Sequence, residues 1–200
     1  MARKRSEMIE ETRGRLIAAA RRAFATKGYA DSAMEDFTAE VGLTRGALYH
    51  HFDGKRGLLE AVIAQIDAEM DERLRVIIDQ ADTLWEGFIG ELVGYVGMAV
   101  EPEIQRIVLL DGPAVLGDPS RWPSQQTCVR TTKKMLDALM DEGTIREVDS
   151  DAMARLISGA ALSAALWIAD ADDPRKASER AVESLALLLA GLRIEIDPAS

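Results

Sequence analysis

From Leu58 to Ile78 the apolar residues Leu58, Leu59, Val62, Ile63, Ile66, Met70, Leu74, Ile77 and Ile78 recur at helical spacing. That spacing returns to one face of a 3.6-residue helix and never alternates as a half-buried strand would. A stripe sustained for about five turns must be covered by other helices or by a sheet. The chain offers few runs of Val, Ile and Thr from which to build a sheet. Ala, Leu, Arg and Glu are abundant instead, and six prolines and fifteen glycines among 200 residues are few for a turn-rich chain. The expected fold class is all-α, with about nine helices.

After the long helix, further helices are expected at 82–100, 103–110, 124–142, 150–170 and 174–191, with Pro102, Pro113, Pro119, Pro123 and Pro174 in or near the connections. The segment 111–123, rich in Gly and Pro, is expected to be a mobile loop. The uncharged run between Arg155 and Asp170 is shorter than the roughly twenty residues of a membrane span, which predicts a buried helix and no membrane partner. A single cysteine, Cys128, excludes an internal disulfide, and a charged N-terminus gives no apolar signal core, so a cytoplasmic location is expected.

The net charge of −10 is unevenly distributed: residues 1–56 hold eleven Lys/Arg against eight Asp/Glu, and residues 57–200 hold thirteen against twenty-six. A basic head meets phosphates while an acidic body is repelled by the same polyanion. No linker separates the halves, so they are expected to be rigidly joined, with the long helix as the mechanical connection.

In the head, Leu16, Ala20, Ala23 and Phe24 mark a first helix that Gly28 stops. Ser32-Ala33-Met34-Glu35 has the form of a capping box, predicting a short helix to Val41. Gly42 breaks it, and Thr44 is placed to cap a third helix from Arg45 to about His51. Leu16, Phe24, Phe37, Leu43, Leu48 and Phe52 form the expected small core. Two short helices around a glycine turn suit the major groove, where the N-terminal residues of the second helix approach base edges. Thr44, Arg45 and Gly46 occupy that position, with Arg45 offering a guanidinium fork and Ala47 a methyl group for thymine. Lys55 brings positive charge to the start of the long helix, and Ser32 and Thr38 are candidates for hydrogen bonds to the same phosphates. Arg3, Lys4 and Arg5 form either a basic arm along the DNA or a solvated tail.

Gly28-Tyr29-Ala30-Asp31-Ser32, the run from Phe37 to Phe52, Lys55 and Leu58-Leu59 closely resemble the DNA-binding signature of the tetracycline-repressor (TetR) family. The resemblance covers about the first 60 residues. Thr38 and Val41 depart from it, standing where the family usually has alanine, and both are small enough to fit between the short helices. The resemblance implies that Tyr49 and His50 contact phosphates. It also implies a homodimer on double-stranded operator DNA, released by a small-molecule effector, with repression as the default.

Beyond the signature, the segment Leu84–Met98 is too apolar for a single stripe and is expected to be enclosed. Trp85, Phe88, Tyr95 and Met98, with Trp122, Met135, Leu139, Leu166 and Trp167 as neighbours, are candidate walls for an apolar or aromatic effector, though the same residues equally suit a filled core. Ala160, Ala161, Ala164 and Ala165, followed by Leu185, Leu188, Leu189 and Leu192, are the expected dimer interface, a four-helix bundle by the same resemblance. Gly90, Gly94 and Gly97 read as close helix packing. Arg130, Lys133 and Lys134 near Cys128 leave open a reactive thiol or an ordinary half-buried one. His50 and His51 point about 100° apart on a helix, which argues against a metal site. No nucleophile elbow, zinc motif or phosphate loop is present, so neither a cofactor nor catalysis is expected. The expected division is a DNA-binding domain at 1–56 and a ligand-binding and dimerisation domain at 57–200.

Overall fold

The computed structural model describes residues 2–42 and 44–194, apart from the side chains of residues 2–6, Arg45 and Ala47. The chain forms α1 (Ala2–Lys27), α2 (Met34–Glu40), α3 (Arg45–Phe52), α4 (Gly54–Asp79) and α5 (Leu84–Met98). A π-helix (Ile104–Asp111), α6 (Gly112–Leu116) and a 3-10 turn (Pro119–Arg121) precede α7 (Pro123–Asp141), α8 (Ser150–Ala169) and α9 (Pro174–Ala190). Nine α-helices and no sheet among the described residues agree with the all-α expectation. The helix expected at 103–110 is present but wound as a π-helix, a form that recurs at functional sites.

Two compact units divide the chain: residues 1–68 with 102–117, and residues 69–101 with 118–200. This grouping differs from a simple cut at 56/57, because the segment 102–117 folds with the N-terminal helices and the division falls inside α4.

In the first unit, Leu16, Ala20, Phe24, Phe37, Leu48, Phe52, Leu58, Leu59 and Val62 close a core, each 6% exposed or less. Phe24 meets Phe37 edge-on at 5.8 Å and Tyr29 at 5.5 Å. Leu43, also expected in this core, lies outside the described residues. The expected loop at 111–123 is instead largely helical. Pro113 and Pro119 sit in the first turns of α6 and the 3-10 helix, where their missing N–H costs nothing, and Asp118 accepts from Ser120 N at 3.0 Å.

In the second unit α8 packs with α5, α7 and α9. Its length and apolarity equal those of a membrane span, but Ala154, Ile157, Ala161, Leu162, Ala165, Ile168 and Ala169 are buried within the chain. Close crossing of α4 and α5 depends on two glycines: a Cβ on Gly90 or Gly94 would come within 2.8 Å of the Ile77 side chain. Gly97 has open space, so the packing role expected for all three holds for two. After α9, Arg146 N donates to Leu192 O at 3.0 Å and Ile194 N to Thr144 O at 3.1 Å, tying the last described residues back to the α7–α8 connection.

Candidate DNA-binding and effector sites

α1 holds α2 and α3 in place through its basic side chains. Arg13 donates to His51 O at 2.8 Å with its guanidinium 4.3 Å from the centre of the Phe52 ring, and Arg15 donates to Val41 O at 3.2 Å. These two arginines therefore grip the ends of the short helices, where carbonyl groups lack intrahelical partners. Arg22 pairs with Glu40, and Lys27 with Asp36 at 2.9 Å, which holds the Asp36 carboxyl below its ordinary pKa. Between the short helices Gly42 has φ +69° with no neighbour near its missing Cβ, so backbone conformation, and not space, explains a glycine there.

Ser32 and Thr38 do not point to phosphates. Ser32 is 3% exposed and its hydroxyl donates to Gly28 O at 2.7 Å. The capping box is consequently absent: Ala33 is the N-cap of α2, without a side-chain hydrogen bond. Thr38 is 4% exposed and donates to Met34 O at 3.0 Å, the usual fate of a threonine inside a helix. On α3, Leu48 and Phe52 turn inward while Thr44, Gly46, Tyr49 and His50 are exposed. Leu48 N bonds to Thr44 O at 3.3 Å, so the helix begins from Thr44 as expected. The side chains of Arg45 and Ala47, and those of Arg3, Lys4 and Arg5, lie outside the described residues; the backbone of 3–5 is part of α1. Lys55 is half-buried, its ammonium 4.2 Å from the centre of the Tyr29 ring and 3.4 Å from Ala30 O, and burial lowers its pKa.

Sequence reasoning missed the attachment of segment 102–117. Arg21 forms a two-pronged bond to Glu103 at 2.8 and 2.7 Å. Arg106 donates to Lys27 O at 3.2 Å and lies where a Cβ on Gly28 (φ +83°) would stand 2.1 Å from its Nη2. Tyr29 N donates to Asp111 at 2.8 Å. A guanidinium thus covers the last carbonyl of α1, which the helix dipole favours, and a carboxylate accepts from an N–H just beyond the helix end.

In the second unit Phe88, Met98 and Leu139 are buried, and Trp85, Tyr95, Trp122, Met135 and Leu166 are half-buried. Trp85 and Phe88 stack at 6.0 Å, and Gln125 donates to the Tyr95 hydroxyl at 3.2 Å. Trp167, named with them, is 45% exposed, with the Arg180 guanidinium 5.5 Å from the centre of its ring. Of the expected dimer residues, Ala161, Ala165, Leu185, Leu189 and Leu192 are buried inside the chain, whereas Ala160 and Leu188 are exposed and Ala164 is half-buried. Beside Leu188, the outward faces of α8 and α9 also carry Leu156, Trp167 and Leu187. Cys128 is no activated thiol: burial pushes its pKa up, and its Sγ lies 3.9 Å from Ser158 Oγ. The nearby Lys133 is bound to Asp137 and Ser150.

Two family models match the chain: bacterial regulatory proteins of the tetR family over residues 16–62, and the tetracyclin repressor-like C-terminal domain over residues 85–192, more than half of the chain. The chain belongs to the TetR family. A crystal structure of a TetR-family transcriptional regulator from Pectobacterium atrosepticum matches with TM-score 0.88 and 50% identity, covering 96% of this chain and 98% of that one. The HTH-type transcriptional regulator SrpR of Pseudomonas putida is 33% identical over 114 residues, 56% of this chain. That match spans 52% of SrpR, about half of its length. The HTH-type transcriptional repressor KstR2 of Mycolicibacterium smegmatis is 23% identical over 185 residues, 90% of each chain. Membership in the TetR family makes α2 and α3 its helix-turn-helix, and the relatives are regulators of transcription rather than enzymes.

Proposed function

We propose that this chain is a repressor that binds a palindromic operator as a homodimer and leaves it when a small molecule occupies the second unit. The observation that carries this reading is the two-sidedness of α3. Leu48 and Phe52 anchor it to a closed core, while Thr44, Gly46, Tyr49 and His50 stand exposed at and after its N-terminus. An exposed helix start on a rigid base is what a major groove accepts. In this reading Arg45 reads a base, Ala47 touches a thymine methyl, and Tyr49, His50 and Lys55 hold phosphates. Ser32 and Thr38 position the helices without touching DNA, since both hydroxyls are committed to carbonyls.

The second copy of the chain is placed on the outward faces of α8 and α9, where Leu156, Trp167, Leu187 and Leu188 are 45–70% exposed. Large apolar side chains left in water on adjacent helices favour self-association, and a two-fold axis matches a palindrome. Effector control requires tighter binding to the form that does not fit DNA. The contacts of Glu103, Arg106 and Asp111 with α1 and Tyr29 give a change in segment 102–117 a direct hold on the recognition head.

Selection of duplexes from a random pool by the purified protein, followed by a salt titration on the winner, tests the reading. A palindrome with half-sites at least about one helical turn apart is the expected result. No enrichment at low salt would refute operator recognition.

A further inference from the structure

Between α3 and α4 the chain turns sharply. Asp53 (φ +57°) and Gly54 (φ +88°) are both left-handed, and Asp53 N still donates to Tyr49 O at 3.2 Å. Little space is left in that corner: a Cβ on Gly54 would stand 3.0 Å from a Tyr49 ring carbon, and one on Gly57 would collide with Phe52 O. Arg13 of α1 holds the same corner with two contacts. Its Nη1 donates to His51 O at 2.8 Å, and its guanidinium lies 4.3 Å from the centre of the Phe52 ring. Arg13 is half-buried and Phe52 is 6% exposed, and the 38 residues between Arg13 and His51 make this a tertiary clamp rather than a local cap.

We propose that Arg13 is a positioning residue for DNA recognition: it fixes the tilt of α3 by holding its C-terminal end, and touches no DNA itself. This rests on the operator reading above and assigns part of that specificity to α1. With eight residues, α3 is too short to hold its own geometry in water. Leu48 and Phe52 anchor it from the middle onward, while Thr44 and Gly46 at its start stand exposed. A shift of about 2 Å at one end tilts a helix of about 12 Å by about 10°, which reaches the roughly 10–20° within which a binding group must be held. The bond to His51 O opposes that shift. His51 lies in the last turn of α3, where carbonyls lack intrahelical donors and the helix dipole favours a cation. The 2.8 Å bond of Arg13 is also shorter than the 3.4 Å approach of Lys55 to Ala30 O, so Arg13 is the more firmly committed of the two cations.

Arg13→Met keeps apolar cover over Phe52 but removes the donor and the charge, and it tests this in the full-length protein beside Arg13→Lys. Binding to the selected operator and to a random duplex is measured at several salt concentrations, well below the unfolding temperature. Arg13→Met should weaken the operator at least about tenfold and the random duplex less than about threefold, with the salt slope of the parent. Arg13→Lys restores a charged donor and should recover the operator to within about threefold. Amide exchange needs no DNA: in Arg13→Met the Asp53 amide should exchange at least about fivefold faster while the amides of α1 keep the rates of the parent. Equal weakening of both duplexes would show a merely structural loss, and a slope lowered by about one would show a direct phosphate contact. Either result, or unchanged exchange at Asp53, overturns the proposal. If Arg13→Met does not fold, Arg13→Gln, too short to span both contacts, is held to the same thresholds. A parent that enriches no duplex, beside faster exchange in Arg13→Met, removes only the operator. A recovered palindrome that Arg13→Met binds as the parent does removes only the role of Arg13.

Discussion

In the first unit, Arg13, Arg15, Arg22 and Lys27 are each bound to a carbonyl or carboxylate of the same unit, and the buried hydroxyls of Ser32 and Thr38 have acceptors. In the second, among the described residues, the half-buried Glu91 has no ion-pair partner and the buried Trp122 N–H has no acceptor. The difference separates two tasks. A surface that reads DNA needs its helices fixed before contact, so internal polar groups are used to lock geometry. A site that responds to a ligand keeps interactions unfilled until the ligand supplies them. It also follows that the head's basic residues are not all available to phosphates, so its small charge excess overstates its DNA contacts.

The largest expected break in this contrast is Phe24→Ala. Phe24 is 0% exposed between Phe37 and Tyr29, and its truncation should cost about 3–5 kcal/mol in chemical denaturation. The head's fixed geometry, and with it operator binding, should be lost before the second unit unfolds. Arg45→Ala should weaken the selected operator by about 1–3 kcal/mol and relax one base position. Lys55→Ala should weaken all duplexes alike and lower the salt slope; competition binding at several salt concentrations separates the two behaviours.

A smaller effect is expected at Arg21 and Glu103, whose side chains are 20% and 37% exposed. Solvent screening limits the pair to about 1 kcal/mol or less, measurable as the coupling in a double-mutant cycle with Arg21→Gln and Glu103→Gln. If the pair helps to transmit the ligand signal, each single variant should also reduce effector-driven release of DNA. The smallest effect sharpens the contrast from the other side. The Glu91 pKa is raised in the folded chain, so folding favours its protonated form there. Stability from this group is therefore greatest below the unfolded pKa and declines as pH rises through the folded value. Glu91→Gln should remove that decline, raising Tm above neutral pH and changing it little near about pH 4. A variant less stable than the parent at every pH would show that Glu91 has a structural partner.

The all-helical fold and the inward residues of the head were legible because their apolar residues recur at helical spacing: Leu16, Ala20 and Phe24 stand four apart on α1, Leu48 and Phe52 four apart on α3, and each is buried. Helices α8 and α9 are apolar on more than one side, so the pattern does not say which side faces the core. Leu185 and Leu189 proved inward, and Leu187 and Leu188 outward. Ser32 illustrates another limit. A serine three residues before a glutamate fits a capping box, but the backward bond to Gly28 O depends on the turn that Gly28 and Tyr29 make. The Gln125–Tyr95 and Ser158–Thr132 contacts were hidden because their members come from α5, α7 and α8, with no local motif to join them.

Segment 102–117 bears on how such a protein can be cut and recombined. Glu103, Arg106 and Asp111 bind Arg21, Lys27 and Tyr29 from positions some 80 residues further along the chain, 82 in the case of Arg21 and Glu103. The unit that carries the recognition helix is thus not one continuous stretch of sequence. A chimera made by splicing residues 1–68 onto a relative's remainder would separate each of these side chains from the partner it evolved beside. Modular exchange of DNA specificity has to move two pieces of gene together, and inheritance of the recognition head is tied to a segment that lies well inside the sequence of the effector half.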